Sequence, residues 1–355
     1  MTVAALTRDL VSIPSHDDET AAGDFIENWL REETDAAVTR DETGNVIARK
    51  GSGDRSLALV GHHDVVAPDA SQLNGDEYVV EERDGRLYGR GTADMKGAVA
   101  AAMYAFRDAD PSCELVFASF VGEEVGGTGA RAAIDGGFAP DFAIVGEGST
   151  GYSAAGVTDV AVAHKGRRGS TITAAGKAAH ASEVESGENA IYRACDAVNI
   201  VRDLDFPTAT VLGHDMMGSV AVTEIEGGSG WNVIPASCSV TVDERTVPGG
   251  YAPLEQVEDV EGVSWAVDQD LPPMACDDAD FAALVLRAAE DTQNVGPEQV
   301  TKPHATDAGW LAQAGTTCVI CGAAEQGEAH TKDESVSIAT LETCEAIYRE
   351  VAESV

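Results

Sequence analysis

GHHDVV at residues 61–66 sets two histidines and an aspartate directly after the apolar run SLALVG (56–61). The same juxtaposition recurs along the chain. Asp94 lies in GRGTADMKG, just ahead of a helical stretch. Glu123 and Glu124 close LVFASFV (115–121), and Glu147 closes FAIVG (142–146). His330 follows TTCVIC (316–321) by a loop. Any one of these acids could be plain surface charge in so acidic a chain. Surface charge does not explain why acids and histidines are repeatedly placed just after apolar runs, with five separate segments delivering His or carboxylate toward one edge. Mixed His and carboxylate donors suit zinc and its neighbours in the first transition row. In an open parallel sheet, the edge formed by the carboxyl ends of the strands is where ligands bind.

These residues need a scaffold. Residues 15–31 read as a helix opened by a capping box from Ser15 to Asp18. Short, fully apolar runs at 56–61, 115–121 and 142–146 read as buried strands, with GAVAAAMYAFRDA (97–109) as a helix between the first two. Alternating helices and apolar strands imply an α/β fold, a mostly parallel sheet covered by helices. After Gly148 the texture changes. GSTITAAG (169–176) and SCSVTVDER (237–245) alternate polar with apolar, as half-buried antiparallel strands do, and 187–204 reads as a helix between them. From 277 onward the first pattern returns, with helices at 277–292, 307–314 and 338–352 and a strand at 316–321. We expect a catalytic domain of residues 1–163 plus 269–355, interrupted by an inserted α+β domain of residues 164–268.

Composition narrows the class. The chain has 355 residues and an apolar share of 44%, which suits a folded protein with two cores. There are 61 acidic against 23 basic residues, a net charge of −38. No basic stripe exists, so a nucleic-acid partner is not expected. No apolar run reaches membrane-spanning length and the first residues are too charged for a secretory leader, which points to the cytoplasm. Self-repulsion on this scale is relieved by screening, which fits a salt-rich interior. The seven cysteines are scattered, and the lone CVIC at 318–321 lacks a second pair, so all seven are expected reduced and structural.

GHHDVV, GRGTADMKG, FVGEEVGG, IVGEGS and EAHTKDES, in this order, resemble the zinc-dependent amidohydrolase and exopeptidase family. That family includes aminoacylase, acetylornithine deacetylase, succinyl-diaminopimelate desuccinylase and glutamate carboxypeptidase. The resemblance spans nearly the whole chain. It implies two divalent ions, Zn2+ or alternatively Co2+, with Asp94 bridging. His62 and Glu147 would complete one site, Glu124 and His330 the other. Asp64 would orient His62 by accepting its second ring N–H. Glu123 would be the general base acting on a metal-activated water. A turn is needed to aim Glu123 and Glu124 in different directions. Two divalent ions against three ligating carboxylates leave one positive charge, which would draw an anionic substrate.

In the inserted domain, GKAAHAS (176–182) matches the family's lid segment, with His180 as donor to the tetrahedral oxyanion. WNVIPASCSVTVDER matches its N-x-I-P…D-x-R pattern, with Asn232 and Arg245 as substrate contacts. Gly187 and Asn189 match a helix start. A homodimer through the inserted domain is implied. His16, His63, His164, His214 and His304 are read as structural or surface. Gly122 stands where many relatives carry Asp, GEGST replaces the commoner GEPT, and CGAAEQGEAH replaces a GPG-type loop. PHATDAGW (303–310) lacks the glycine-serine run of strict desuccinylases. No ligand or base is lost.

The expected reaction is hydrolysis of an N-acyl amino acid, with a role in amino-acid biosynthesis. The alternatives are a dipeptidase or carboxypeptidase-type exopeptidase acting on a small peptide and, from another class, a non-catalytic metal-binding scaffold.

Overall fold

The computed structural model describes residues 2–355. The chain divides into two compact units. The first holds the chain up to Ala163, then Met274–Lys302 and Thr306–Val355; the second holds His164–Pro273 with Pro303–Ala305.

At the centre of the first unit four strands run parallel, in the order Glu114–Phe120, Ser56–His62, Phe142–Val145, Thr317–Ile320. Both flanks are antiparallel: Val46–Gly51 pairs with Glu114–Phe120, and Val160–His164 pairs with Thr317–Ile320. The central strands are buried on both faces, which is why they read as unbroken apolar runs. On one face Ala58, Val60, Ala118, Phe120, Val145 and Ile320 pack against Ala130 and Ala133 of helix Thr128–Asp135 and Ala308 and Leu311 of helix Asp307–Gln313. The other face carries helix Gly97–Asp108, where every residue from Gly97 to Phe106 is buried. Small side chains let that helix lie close. A Cβ at Gly61 would stand 2.8 Å from Met95 Cε, and one at Gly146 2.9 Å from the same atom. Both glycines sit at strand ends next to candidate ligands, so the loop before this helix meets the strand edge directly.

One expected element starts elsewhere. The helix read from residue 15 begins at Thr20, with Glu19 before it and no side-chain cap. Ser15 does not cap it. Its Oγ donates to the His63 carbonyl at 2.6 Å, and its own carbonyl accepts from Val65 N–H at 3.3 Å. An additional helix, Val3–Val11, precedes it, capped by Thr2.

The second unit is built on a four-stranded antiparallel sheet in the order Ser219–Gly227, Ser237–Thr246, Gly166–Ala175, Val263–Leu271. Helix Ala190–Asp203 covers it, its buried Ala190, Ala194, Ala197 and Val201 meeting Ile172, Ala174, Val240 and Val242. Asn189 caps that helix by accepting the N–H groups of Ile191 and Tyr192. The unit runs to Pro273 rather than 268 because strand Val263–Leu271 pairs along Gly166–Ala175 and completes the sheet. All seven cysteines are free. Among the described residues no helix is long and apolar enough to cross a membrane.

Candidate metal centre

His62 is the last residue of its strand and pairs with Phe120 of the parallel neighbour. Beyond Phe120 the chain turns at Gly122, whose left-handed φ of 63° and close neighbour, the Thr128 hydroxyl 2.1 Å from where a Cβ would be, both favour glycine. This turn carries Glu123 and Glu124. Asp64 fixes it, since Oδ1 accepts the Glu123 amide at 3.2 Å and Oδ2 the Glu124 amide at 3.0 Å. His62 Nδ1 lies 3.0 Å from the Asp64 carbonyl and 3.3 Å from its carboxylate Oδ1. Asp64 thus orients the imidazole and locks the two glutamates at once.

His62 Nε2 is directed to Asp94 Oδ1 at 3.1 Å and Glu147 Oε1 at 3.4 Å. His330 Nε2 is directed to Asp94 Oδ2 at 3.0 Å and Glu124 Oε1 at 2.9 Å. The donor atoms of His62, Asp94 and Glu147 lie within 4.8 Å of one another, as do those of Asp94, Glu124 and His330. Two groups sharing one carboxylate can hold a pair of cations. The electrostatics fit positive charge at both places. His62 is fully buried, which opposes protonation, yet Asp64, Asp94 and Glu147 outweigh burial and push its pKa well above the usual value. Asp94, then Glu124, push His330 up to about 10. Burial works to raise Asp94, but the two histidines hold it well below the carboxylate range.

Glu123 stands apart from both groups. Burial, reinforced by Glu147, Asp307 and Asp94 against the pull of His62, raises its pKa well above normal. A carboxyl group shifted upward in this way suits proton transfer better than an ordinary surface acid does.

Three further residues belong here that motif reading did not single out. Glu334, in EAHTKDES, is 1% exposed. Its Oε1 accepts the amides of Gly91, Ala93 and Asp94 at 2.9, 3.0 and 3.1 Å, and its Oε2 accepts from Arg90 Nη1 at 2.5 Å. Asp307, in PHATDAGW, is 3% exposed; burial, with Asp64 and Glu147 adding and His62 opposing, brings it to about 7. Lys302 is 5% exposed, with Nζ 3.8 Å from Glu147 Oε2. An acid or lysine beside a recognised motif was the only signal for these in the sequence.

His63 is buried, with Nδ1 2.8 Å from Ser119 Oγ, and burial drops its pKa to about 3. It is a neutral packing residue beside His62.

His180, Asn232 and Arg245 lie in the second unit. His180 is exposed, its Nδ1 2.6 Å from Ser182 Oγ. The structure brings His180 and Asn232 together: strands Ala179–His180 and Val233–Ile234 pair, and the Asn232 carbonyl accepts the Ala181 amide at 2.9 Å. Arg245 donates through Nε to Asp243 Oδ1 at 2.8 Å, while Arg167 Nε donates to Asp243 Oδ2 at 2.7 Å.

A family model described as peptidase family M20/M25/M40 matches residues 58–354. The chain is 31% identical over 333 residues to an acetylornithine deacetylase of Myxococcus xanthus, covering 88% of this chain and 83% of that protein. It is 29% identical over 341 residues to a succinyl-diaminopimelate desuccinylase of Xanthomonas oryzae pv. oryzae, covering 88% and 87%. Among solved structures, the aminopeptidase PepT of Bacillus cereus superposes with a TM-score of 0.80 at 21% identity, covering 99% and 98%. A dinuclear metal-binding peptidase of the M20 family from Bacillus subtilis superposes with a TM-score of 0.71 at 16% identity, covering 99% and 96%. These last two likenesses are of fold.

Proposed function

This chain belongs to peptidase family M20/M25/M40, and from that membership we propose that it hydrolyses the amide bond of an N-acyl amino acid. The two relatives named above as deacetylase and desuccinylase support an acyl group on an amino acid rather than a longer peptide. As a metal-dependent amidohydrolase or peptidase it is an enzyme, so the scaffold reading is set aside.

One observation carries the site assignment. Asp94 presents one oxygen to His62 and the other to His330, 3.1 and 3.0 Å away, as a bridging carboxylate would. In this reading His62, Asp94 and Glu147 hold one divalent ion, and Asp94, Glu124 and His330 the other. Zn2+ is the first choice and Co2+ the second, on the mixed His and carboxylate donor set. When bound, the pair would acidify water and polarise the amide carbonyl. Glu123 would take a proton from the attacking water and hand it to the leaving amine. Its raised pKa favours carrying that proton between the two events. Asp64 would keep the base and the ligand Glu124 on their separate headings through its two amide bonds. His180 as oxyanion donor, and Asn232 and Arg245 as substrate contacts, rest on the motif match.

Charge counting changes once Asp64, Asp307, Glu123 and the lysines are included. Asp64, Asp94, Glu123, Glu124, Glu147 and Asp307 are six carboxylates, and Lys96 and Lys302 are buried among them. With every one of these groups ionised, two divalent ions and two ammonium groups would balance the six carboxylates. Recognition of a substrate carboxylate is assigned to Arg245 on the motif match, since a guanidinium can meet a carboxylate bidentately. We also propose a cytoplasmic, salt-adapted homodimer formed through the second unit, on the acidic composition and the motif match.

The test is amine release in concentrated KCl with Zn2+ or Co2+ added and a chelator as control. N-acetylornithine, N-succinyl-diaminopimelate, other N-acetyl amino acids and several dipeptides make the panel. Chelator-sensitive cleavage of an N-acyl amino acid is expected. Cleavage of dipeptides alone would replace the proposal with an exopeptidase.

A further inference from the structure

Lysine is scarce in this chain, at six residues, and burying one is costly. Lys302 is nevertheless 5% exposed, against 13% for the side chain of Glu147, its ion-pair partner. It ends strand Gln299–Lys302, which pairs with Val160–His164 at the side of the central sheet. The two oxygens of Glu147 are divided. Oε1 faces His62 Nε2 at 3.4 Å and Oε2 faces Lys302 Nζ at 3.8 Å. Glu124, the counterpart in the other group, faces His330 through Oε1 at 2.9 Å, and no lysine or arginine lies within ion-pair distance of it among the described residues. The two halves of the centre therefore differ by one buried positive charge.

We propose that Lys302 is a positioning residue whose ammonium, in ion-pair range of Oε2 of Glu147 at 3.8 Å, draws that oxygen to itself, so that Oε1 is the one offered to the cation site of His62, Asp94 and Glu147. This rests on the reading of Glu147 as a metal ligand. Two consequences follow from the chemistry. Glu147 held by one oxygen leaves a coordination position open, where a two-oxygen grip would fill it. The nearby ammonium also repels the cation and keeps it loosely neutralised, hence a stronger electrophile. Removing Lys302 should tighten metal binding at this site while slowing turnover. A purely structural lysine predicts the opposite sign, since its loss would loosen the site.

The experiment measures Zn2+ affinity of the full chain by competition with a chromophoric chelator. The His330→Ala background isolates the Glu147 site. Adding Lys302→Met there should raise affinity on the order of tenfold, a fraction of what one unit charge exerts at such range. Lys302→Arg should restore the affinity of the background. In the otherwise unchanged protein, Lys302→Met should lower kcat more than it raises KM. Lys302→Gln, which keeps a polar partner for Glu147 but no charge, replaces the Met variant if circular dichroism shows that one unfolded. Affinity unchanged or weakened in the folded variant overturns the role of Lys302. If Glu147→Ala costs one of two ions, that failure stands alone. If Glu147→Ala keeps both ions, the ligand assignment fails and the inference with it.

Discussion

Glu334 accepts the backbone N–H of Asp94 at 3.1 Å, across 240 residues of sequence. The same oxygen takes the amides of Gly91 and Ala93, and the other takes Arg90. The loop that aims Asp94 at both histidines is therefore held by one buried carboxylate, itself only four residues from His330. Two motifs distant in sequence are tied at the point where both must deliver a donor. Glu334→Ala removes the acceptor for three amides and leaves Arg90 buried without its partner. It should cost about 3–5 kcal/mol of stability and release metal. Glu334→Gln keeps an acceptor and should cost about 1–3 kcal/mol. Urea unfolding with metal present measures both, and equal losses for the two variants would argue against the charge on Glu334 as the anchor.

Glu123 lies outside both cation groups, so its removal should separate chemistry from metal binding. Glu123→Gln should retain two ions per chain and lower kcat by about 10²–10⁴-fold. Metal content by atomic emission and initial rates on the cleaved substrate decide it. Full activity in a metal-replete variant would remove Glu123 as the base.

Asp94 belongs to both groups, so its loss should not spare either. Asp94→Ala is expected to weaken both ions, where Glu147→Ala or His330→Ala weakens one. A variant lacking Asp94 that still holds two ions at unchanged affinity would contradict a bridging role.

Much of this centre could be read in advance because its parts are local. Apolar runs of four to seven residues announce buried parallel strands, and His62, Glu123 and Glu147 follow them within three positions. The helix start was misread because a serine three before an acid is a capping pattern only when the serine is free. Here Ser15 is committed to His63 and Val65, and a long-range bond displaced the local one. Glu334, Asp307 and Lys302 were illegible for a related reason. One acid among 61, or one lysine among six, carries no mark of burial in the sequence alone. Only the three-dimensional return of the chain to the sheet edge gives them partners. The second unit's strands were legible by alternation, but its end was not, because the last strand, Val263–Leu271, exposes most of its residues and alternates weakly.

The cysteines should divide sharply in reactivity. Six are buried and Cys195 is exposed. Burial pushes Cys276 up to about 11 and Cys344 up to about 12, so at pH 8 these thiols stay protonated as well as shielded. A thiol reagent should modify one group per native chain quickly, and all seven after unfolding. Mass spectrometry should find the first label on Cys195. Rapid labelling of several thiols would show a core that opens more readily than this packing implies, and fewer than seven in the unfolded chain would reveal a disulfide.

Salt should act on stability through the net charge of −38. At 0.1 M ionic strength the screening length is about 10 Å, long enough for surface carboxylates on neighbouring elements to repel; at 1 M it is about 3 Å. Surface ion pairs work in the other direction, since screening weakens them, but exposed pairs contribute only about 0–1 kcal/mol each. With 23 basic residues against 61 acids, most carboxylates have no pair to lose. Repulsion should dominate, so the melting temperature of the metal-loaded protein should climb from 0.1 to 1 M KCl. Above 1 M, Coulomb screening is nearly spent, so any further rise would report a second effect, such as strengthened apolar burial or cation binding to the folded surface. Comparing KCl with an uncharged excluded osmolyte separates the two terms. A flat profile below 1 M would mean that the acidic surface exerts little strain on the fold, and the salt-adapted reading would fall.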